Sequence, residues 1–111
     1  MATDNIRKRI IEKAALIVIK LGSNVLTTPG WKLDRKVFAD IARTIATAQK
    51  RKKEFILVSS GAIAAGMGTL GFSERPKLIP LEQAAAAIGQ ISLMGLYQRL
   101  FSRYGFSVAQ V

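Results

Sequence analysis

The chain's 111 residues are enough for one domain with a real core but short for a complete two-substrate α/β enzyme, and half of them are apolar. Seventeen Lys and Arg against seven Asp and Glu leave a formal charge of +10, which calls for an acidic partner. With no Cys and no His, the sequence excludes a disulfide framework, a thiolate or imidazole metal site and a histidine base.

Residues 1–15 form a lead-in. Asp4, Arg7, Lys8, Arg9 and Glu12 interrupt its isoleucines, so it lacks the apolar core and cleavage site of a secretory signal and reads as a frayed or amphipathic segment. Leu16-Ile17-Val18-Ile19 is a continuous apolar run, the pattern of a strand buried on both faces of a parallel sheet. It ends in Lys20-Leu21-Gly22-Ser23-Asn24. A cation at the carboxyl end of such a strand, followed by Gly and small polar residues, is where open α/β sheets bind phosphates. Gly22 admits a close backbone approach, and Ser23 and Asn24 can donate or accept. The same residues also fit a plain turn with Lys20 reaching solvent.

Thr27-Thr28-Pro29-Gly30 reads as a loop, after which Asp34 caps a helix with apolar Val37, Phe38, Ile41, Ala42, Ile45 and Ala48 at steps of three and four. Lys50-Arg51-Lys52-Lys53 ends that helix. The bases elsewhere are scattered and carry no nucleic-acid-binding signature, so this cluster reads as a solvated helix end rather than a nucleic-acid patch. Phe55 opens the second strand. Strand, crossover helix and strand make a βαβ unit with parallel strands, which brings Lys20-Leu21-Gly22 and Ser59-Ser60-Gly61 to one sheet edge, facing one crevice.

Ser59-Ser60-Gly61 feeds directly into the small residues Ala62 to Ala65. Unpaired N–H groups at such a turn, together with the helix dipole, favour an anion that two hydroxyls can orient. A buried strand whose serines merely cap the next helix fits equally. Gly71 to Pro80 is a loop able to move over a substrate site. From Leu81 a long helix runs to about Arg103; apolar around most of its circumference between Ala84 and Leu96, it implies burial on several sides or a subunit contact. Glu82, Gln83, Gln90, Gln98 and Arg99 make it a poor membrane span, and Gly89 and Gly95 weaken it unless close packing compensates. Tyr104-Gly105 closes the helix. Phe106 to Val111 then reads as a third strand in which the sequence stops, so the expected fold is incomplete.

Four stretches stand out together: Ile17 to Ser23, Leu57 to Gly66, Gln83 to Gln90, and Ala109-Gln110-Val111. In this order and spacing the chain resembles the amino acid kinase family over residues 16–111. Its Ser-Ser-Gly-Ala turn with the Ala-rich Gly-Gln helix is most similar to members that phosphorylate glutamate, since acetylglutamate and uridylate kinases carry Gly-rich turns there. The resemblance implies an α/β fold, a three-layer αβα sandwich with a mainly parallel sheet, of which 16–111 is the N-terminal portion. It implies transfer of a phosphoryl group from ATP, with Mg²⁺, to the side-chain carboxylate of L-glutamate, the first step of proline synthesis.

By the same resemblance Lys20 is the catalytic lysine, binding ATP phosphates with Gly22 and Ser23, while Ser60 binds glutamate with Ser59, Gly61 and Ala62 around it. No protein-held metal is implied. A cytoplasmic enzyme that is a homo-oligomer when complete is expected, with ATP and L-glutamate as partners and neither membrane nor nucleic acid. Asn24 departs from the Ser or Thr of many relatives. The family's base pocket, later glutamate ligands and second catalytic lysine fall beyond Val111, so the chain alone is expected to lack kinase activity and to expose apolar surface on its last strand and long helix. A non-catalytic binding or regulatory module that kept this sheet is the alternative.

Overall fold

In chain order the elements are α1 (Ala2–Lys13), β1 (Leu16–Leu21), α2 (Ser23–Leu26), β2 (Thr27–Thr28), β3 (Lys32–Leu33), α3 (Arg35–Gln49), β4 (Glu54–Ser59), α4 (Ala62–Leu70) and α5 (Ile79–Ser102), in a computed structural model that describes residues 1–111. The fold is mixed α/β around a parallel pair. β1 and β4 run side by side from Leu16 opposite Glu54 to Leu21 opposite Ser59, with α3 as the crossover. Asp34 caps α3 by accepting from the Val37 amide at 3.4 Å, and Phe38, Ala42, Ile45 and Ala46 form its buried stripe.

Side chains alternate across the two strands. Ile19, Leu21, Phe55 and Leu57 join Phe38, Ala42 and Ile45 of α3 and Leu93, Leu96, Tyr97, Leu100 and Phe101 of α5 in one core. On the opposite face Leu16, Val18, Ile56 and Val58 are all at least half exposed. The expectation of a strand buried on both faces is thereby corrected: a continuous apolar run permits burial on each side, but α3 and α5 cover only one. In the long helix, burial on several sides is likewise not found, whereas the apolar exposure expected of it is. Its buried residues Ala85, Gly89, Leu93, Leu96, Tyr97, Leu100 and Phe101 follow a single stripe, and Ile91 on another side is 79% exposed.

Other boundaries move for local reasons. Pro80 lies in the first turn of α5 rather than in the preceding loop, because its fixed φ suits a position where the amide needs no helical partner. The loop at Thr27 to Gly30 is half of a small antiparallel hairpin, β2 with β3, turned by Gly30 and Trp31 at φ 88° and 62°. The turn after Lys20-Leu21-Gly22 is helical, with Ser23 and Asn24 beginning the single turn of α2. Lys53 is not merely a solvated helix end. Its Nζ donates to the carbonyls of Ile11, Glu12 and Ala14 at 2.7, 3.0 and 2.7 Å, fastening the end of α1 to the approach of β4. α1 itself is an amphipathic helix with no buried residue.

The third strand does not form. Gly105 at φ 79° ends α5 in a double return, Phe106 N–H to Phe101 C=O and Gly105 N–H to Ser102 C=O. Beyond it Phe106 and Val108 pack against the core without joining a ladder. A cavity of about 570 Å³ lies between residues 55–59 of β4 and residues 106–111. The alternation that reads as a strand is satisfied here by core contact alone. No helix is long and apolar enough to cross a membrane.

The tightest packing lies between α4 and α5. A Cβ on Gly66 would stand 1.7 Å from the Ala85 carbonyl oxygen, and one on Gly89 would stand 1.7 Å from that of Ala62, so each helix presses a glycine onto the other's backbone. Gly68, on the same helix as Gly66, has open space around it. Gly89→Ala is therefore expected to lower unfolding free energy by about 3 kcal/mol. Gly68→Ala should raise it by about 0.5–1 kcal/mol through helix propensity. Urea denaturation of the two variants checks this, and equal effects would refute the reciprocal contact.

Candidate functional site

The ladder register decides which residues meet. Leu21 is opposite Ser59, and the Ser60 amide donates to the Leu21 carbonyl at 2.8 Å, so Gly22 and Ser60 leave the sheet side by side. Lys20, Gly22 and Ser23 on one turn and Ser59, Ser60, Gly61 and Ala62 on the other are thus brought to one edge. Lys20 is exposed and alternates with Leu16 and Val18 onto the open face, where it has no carboxylate partner; the three ion pairs of the chain are Lys8 with Glu12, Arg43 with Asp40, and Arg75 with Glu82.

The second turn depends on Gly61. Its φ of 109° belongs to the left-handed region, and a Cβ there would come 3.3 Å from Leu33 Cδ2. From this position the chain enters α4 with no side-chain cap on the helix. The first amides of α4 therefore keep donor capacity beside Ser60, at the positive end of the dipole. Gly22 precedes α2 in the same uncapped way, with its carbonyl taken by the amides of Val25 and Leu26.

The two serines do different things. Ser59 lies on the core side of β4; its Oγ donates to the Ser60 carbonyl at 2.8 Å and sits 2.6 Å from the Tyr97 hydroxyl. Ser60 is half-buried, and its hydroxyl bonds to no other protein group. One of the two hydroxyls is thus committed inside the protein and the other is not. Sequence reasoning did not single out Tyr97, which lies just past the apolar region Ala84 to Leu96. The available signal was its type, since a buried Tyr hydroxyl usually requires a polar partner.

Of the two cavities described, one is lined by Ser59 and Tyr97. The other, about 760 Å³, runs along α4 beside Trp31, Lys32 and Arg35. Neither is lined by Lys20, Gly22, Ser23, Ser60 or Gly61. No group of three or more His, Cys, Asp or Glu is placed to hold a metal ion. What the edge offers is one free cation, backbone donors and a free hydroxyl, a set suited to anions and without a general base.

Residues 15–111 match the amino acid kinase family. Among curated proteins, glutamate 5-kinase of Geobacter metallireducens is 47% identical over 105 residues, covering 95% of this chain and 28% of that protein. Glutamate 5-kinase of Pelobacter propionicus is 45% identical over 105 residues with the same coverage. That of Clostridium acetobutylicum is 46% identical over 107 residues, 96% of this chain and 40% of the relative. The chain spans well under half the length of these relatives.

Burial raises the pKa of Tyr97 above the ordinary tyrosine range, and the Ser59 hydrogen bond partly opposes the rise. Below about pH 10 the phenol is neutral in folded and unfolded chains, and its contribution to stability is complete. Above that point the unfolded chain loses the proton first, so stability falls as pH rises through the folded value. Urea unfolding at increasing alkaline pH should show this fall, with a shallower slope in Tyr97→Phe. Identical slopes would contradict a buried neutral phenol.

Proposed function

The chain belongs to the amino acid kinase family, and from that premise we propose that it serves a cytoplasmic glutamate 5-kinase activity, phosphorylating the side-chain carboxylate of L-glutamate with ATP in the first step of proline synthesis. The observation that carries this reading is the adjacency of Gly22 and Ser60 through the Ser60 to Leu21 bond, in a chain 45–47% identical to glutamate 5-kinases over the same stretch. No observation favours the alternative, a non-catalytic module.

The proposed roles follow the chemistry of the edge. Lys20, with Gly22 and Ser23, takes the ATP phosphates. Ser60, with Gly61, Ala62 and the first amides of α4, takes the glutamate, and Ser59 supports that turn from behind. A carboxylate nucleophile is already ionised at neutral pH, so an edge without His is adequate. The barrier lies instead in holding two anions in line and offsetting their repulsion, which a lysine and oriented amides do. Magnesium enters this reading as part of the Mg-ATP co-substrate.

The test is a chimaera in which this chain replaces the corresponding 105 residues of the Geobacter metallireducens enzyme. L-glutamate-dependent ADP release is expected to survive the exchange, and Lys20→Ala within it should lower kcat roughly a hundredfold or more. A folded chimaera with no glutamate-dependent turnover, or one indifferent to Lys20→Ala, would overturn the proposal.

A further inference from the structure

The hydroxyl of Tyr97 is a polar group set in an otherwise apolar core. The residue is 4% exposed, on the buried stripe of α5, with its ring 5.2 Å from that of Phe38 and 6.4 Å from that of Phe101. Its only polar partner is Ser59 Oγ at 2.6 Å. The direction of that bond follows from counting protons. Ser59 has a single hydroxyl hydrogen, which it gives to the Ser60 carbonyl, so Tyr97 must be the donor to Ser59. The result is a relay from Tyr97 O–H through Ser59 Oγ to the Ser60 carbonyl oxygen.

This relay completes the restraint of one residue. The Ser60 amide is held by Leu21 of β1 at 2.8 Å, and its carbonyl is held, through Ser59, by α5. With both backbone groups fixed, the plane of the Ser60–Gly61 peptide is set just before Gly61 takes its left-handed turn into α4. The Ser60 hydroxyl is left free of internal bonds.

We propose that Tyr97 is a positioning residue for the substrate edge: through Ser59 it fixes the Ser60–Gly61 peptide, and so aims the Ser60 hydroxyl and the first amides of α4 at a carboxylate substrate. It touches no substrate itself. The proposal rests on the reading of Ser60 as part of a glutamate site, although the relay can be tested without any ligand. The raised pKa of Tyr97 agrees with a phenol that keeps its proton in order to donate it.

Amide hydrogen exchange by NMR on the whole 111-residue chain is the experiment. Tyr97→Phe keeps the ring and removes only the hydroxyl. The Ser60 amide should then exchange about 3- to 10-fold faster, as expected for one hydrogen bond, while amides of α3 and of Leu93 to Phe101 stay at wild-type rates. Ser59→Ala should reproduce that change, the double variant should add nothing further, and Ser59→Thr should restore wild-type behaviour, because a relay fails as a unit. In the chimaera with the Geobacter metallireducens enzyme, Tyr97→Phe should raise the KM for L-glutamate about 3- to 10-fold. Unchanged Ser60 exchange in both Tyr97→Phe and Ser59→Ala overturns the proposal, as does equal loosening of α3 and α5, which would make Tyr97 a packing residue only. If the relay behaves as expected but the unsubstituted chimaera shows no glutamate-dependent turnover, the positioning of the turn stands and the glutamate reading of the edge falls.

Discussion

At Gly66 and Gly89 the backbones of α4 and α5 lie in contact, each glycine against a carbonyl of the other helix. Two helices with ordinary side chains at those points would be held about 8–10 Å apart. The absence of a Cβ on both sides removes that spacing and fixes the pair in rotation as well as distance, since only one register puts Gly66 on Ala85 and Gly89 on Ala62. Because Ala62 is the first residue of α4, the contact at Gly89 sets where that helix starts. Eight residues further along α5, Tyr97 reaches Ser59 on the strand that leads into the same turn. One helix thus holds the Ser-Ser-Gly turn from both sides.

The other wall of the edge comes from the ladder. A parallel pair with Leu21 opposite Ser59 leaves no freedom in where Gly22 and Ser60 emerge, because a slip of one residue would exchange the core and open faces of the strand. Leu21 and Leu57 would then be lost from the cluster that includes Phe38 and Leu93. Core packing on one face of the sheet therefore specifies the chemistry at its end. The free amides, the cation and the free hydroxyl lie together because the apolar residues beneath them admit a single alignment.

How much of this could be read from the residues depends on the range of the interaction. The βαβ unit, the Asp34 cap and the adjacency of the two turns follow from local periodicity and a handedness rule, and all three are present. Sequence signals were weaker where two distant residues decide the outcome. Gly89 and Gly95 looked alike in the long helix, yet only Gly89 meets a facing backbone; Gly95 faces the end of Arg99. Ser59 and Tyr97 are 38 positions apart, and Lys53 reaches back 42 positions to Ile11, so no spacing rule links either pair. Phe106 and Val108 alternate as a strand does, but alternation reports which side chains turn inward and not whether the backbone finds a partner. Likewise the run Leu16 to Ile19 does not reveal that α3 and α5 lie on the same face.

Charge placement bears on why Lys20 suits an anion. Of the seven acidic residues, Glu12, Asp40 and Glu82 are in ion pairs with Lys8, Arg43 and Arg75, Asp34 caps α3, and Asp4 on α1 and Glu74 between α4 and α5 pair with no cation. Glu54 is on β4, but Lys20 is registered with Val58, four residues beyond it. At the rise of a strand that offset is about 13 Å, longer than the ~8 Å screening length at physiological ionic strength. The neighbours of Lys20 on its own face of the sheet, Val18, Ile56 and Val58, are apolar. That ammonium is therefore held in no ion pair by an internal carboxylate, and it stands where the surface contributes little polarity of its own. The excess of base over acid in the whole chain matters less to this site than the local fact that no carboxylate forms an ion pair with Lys20.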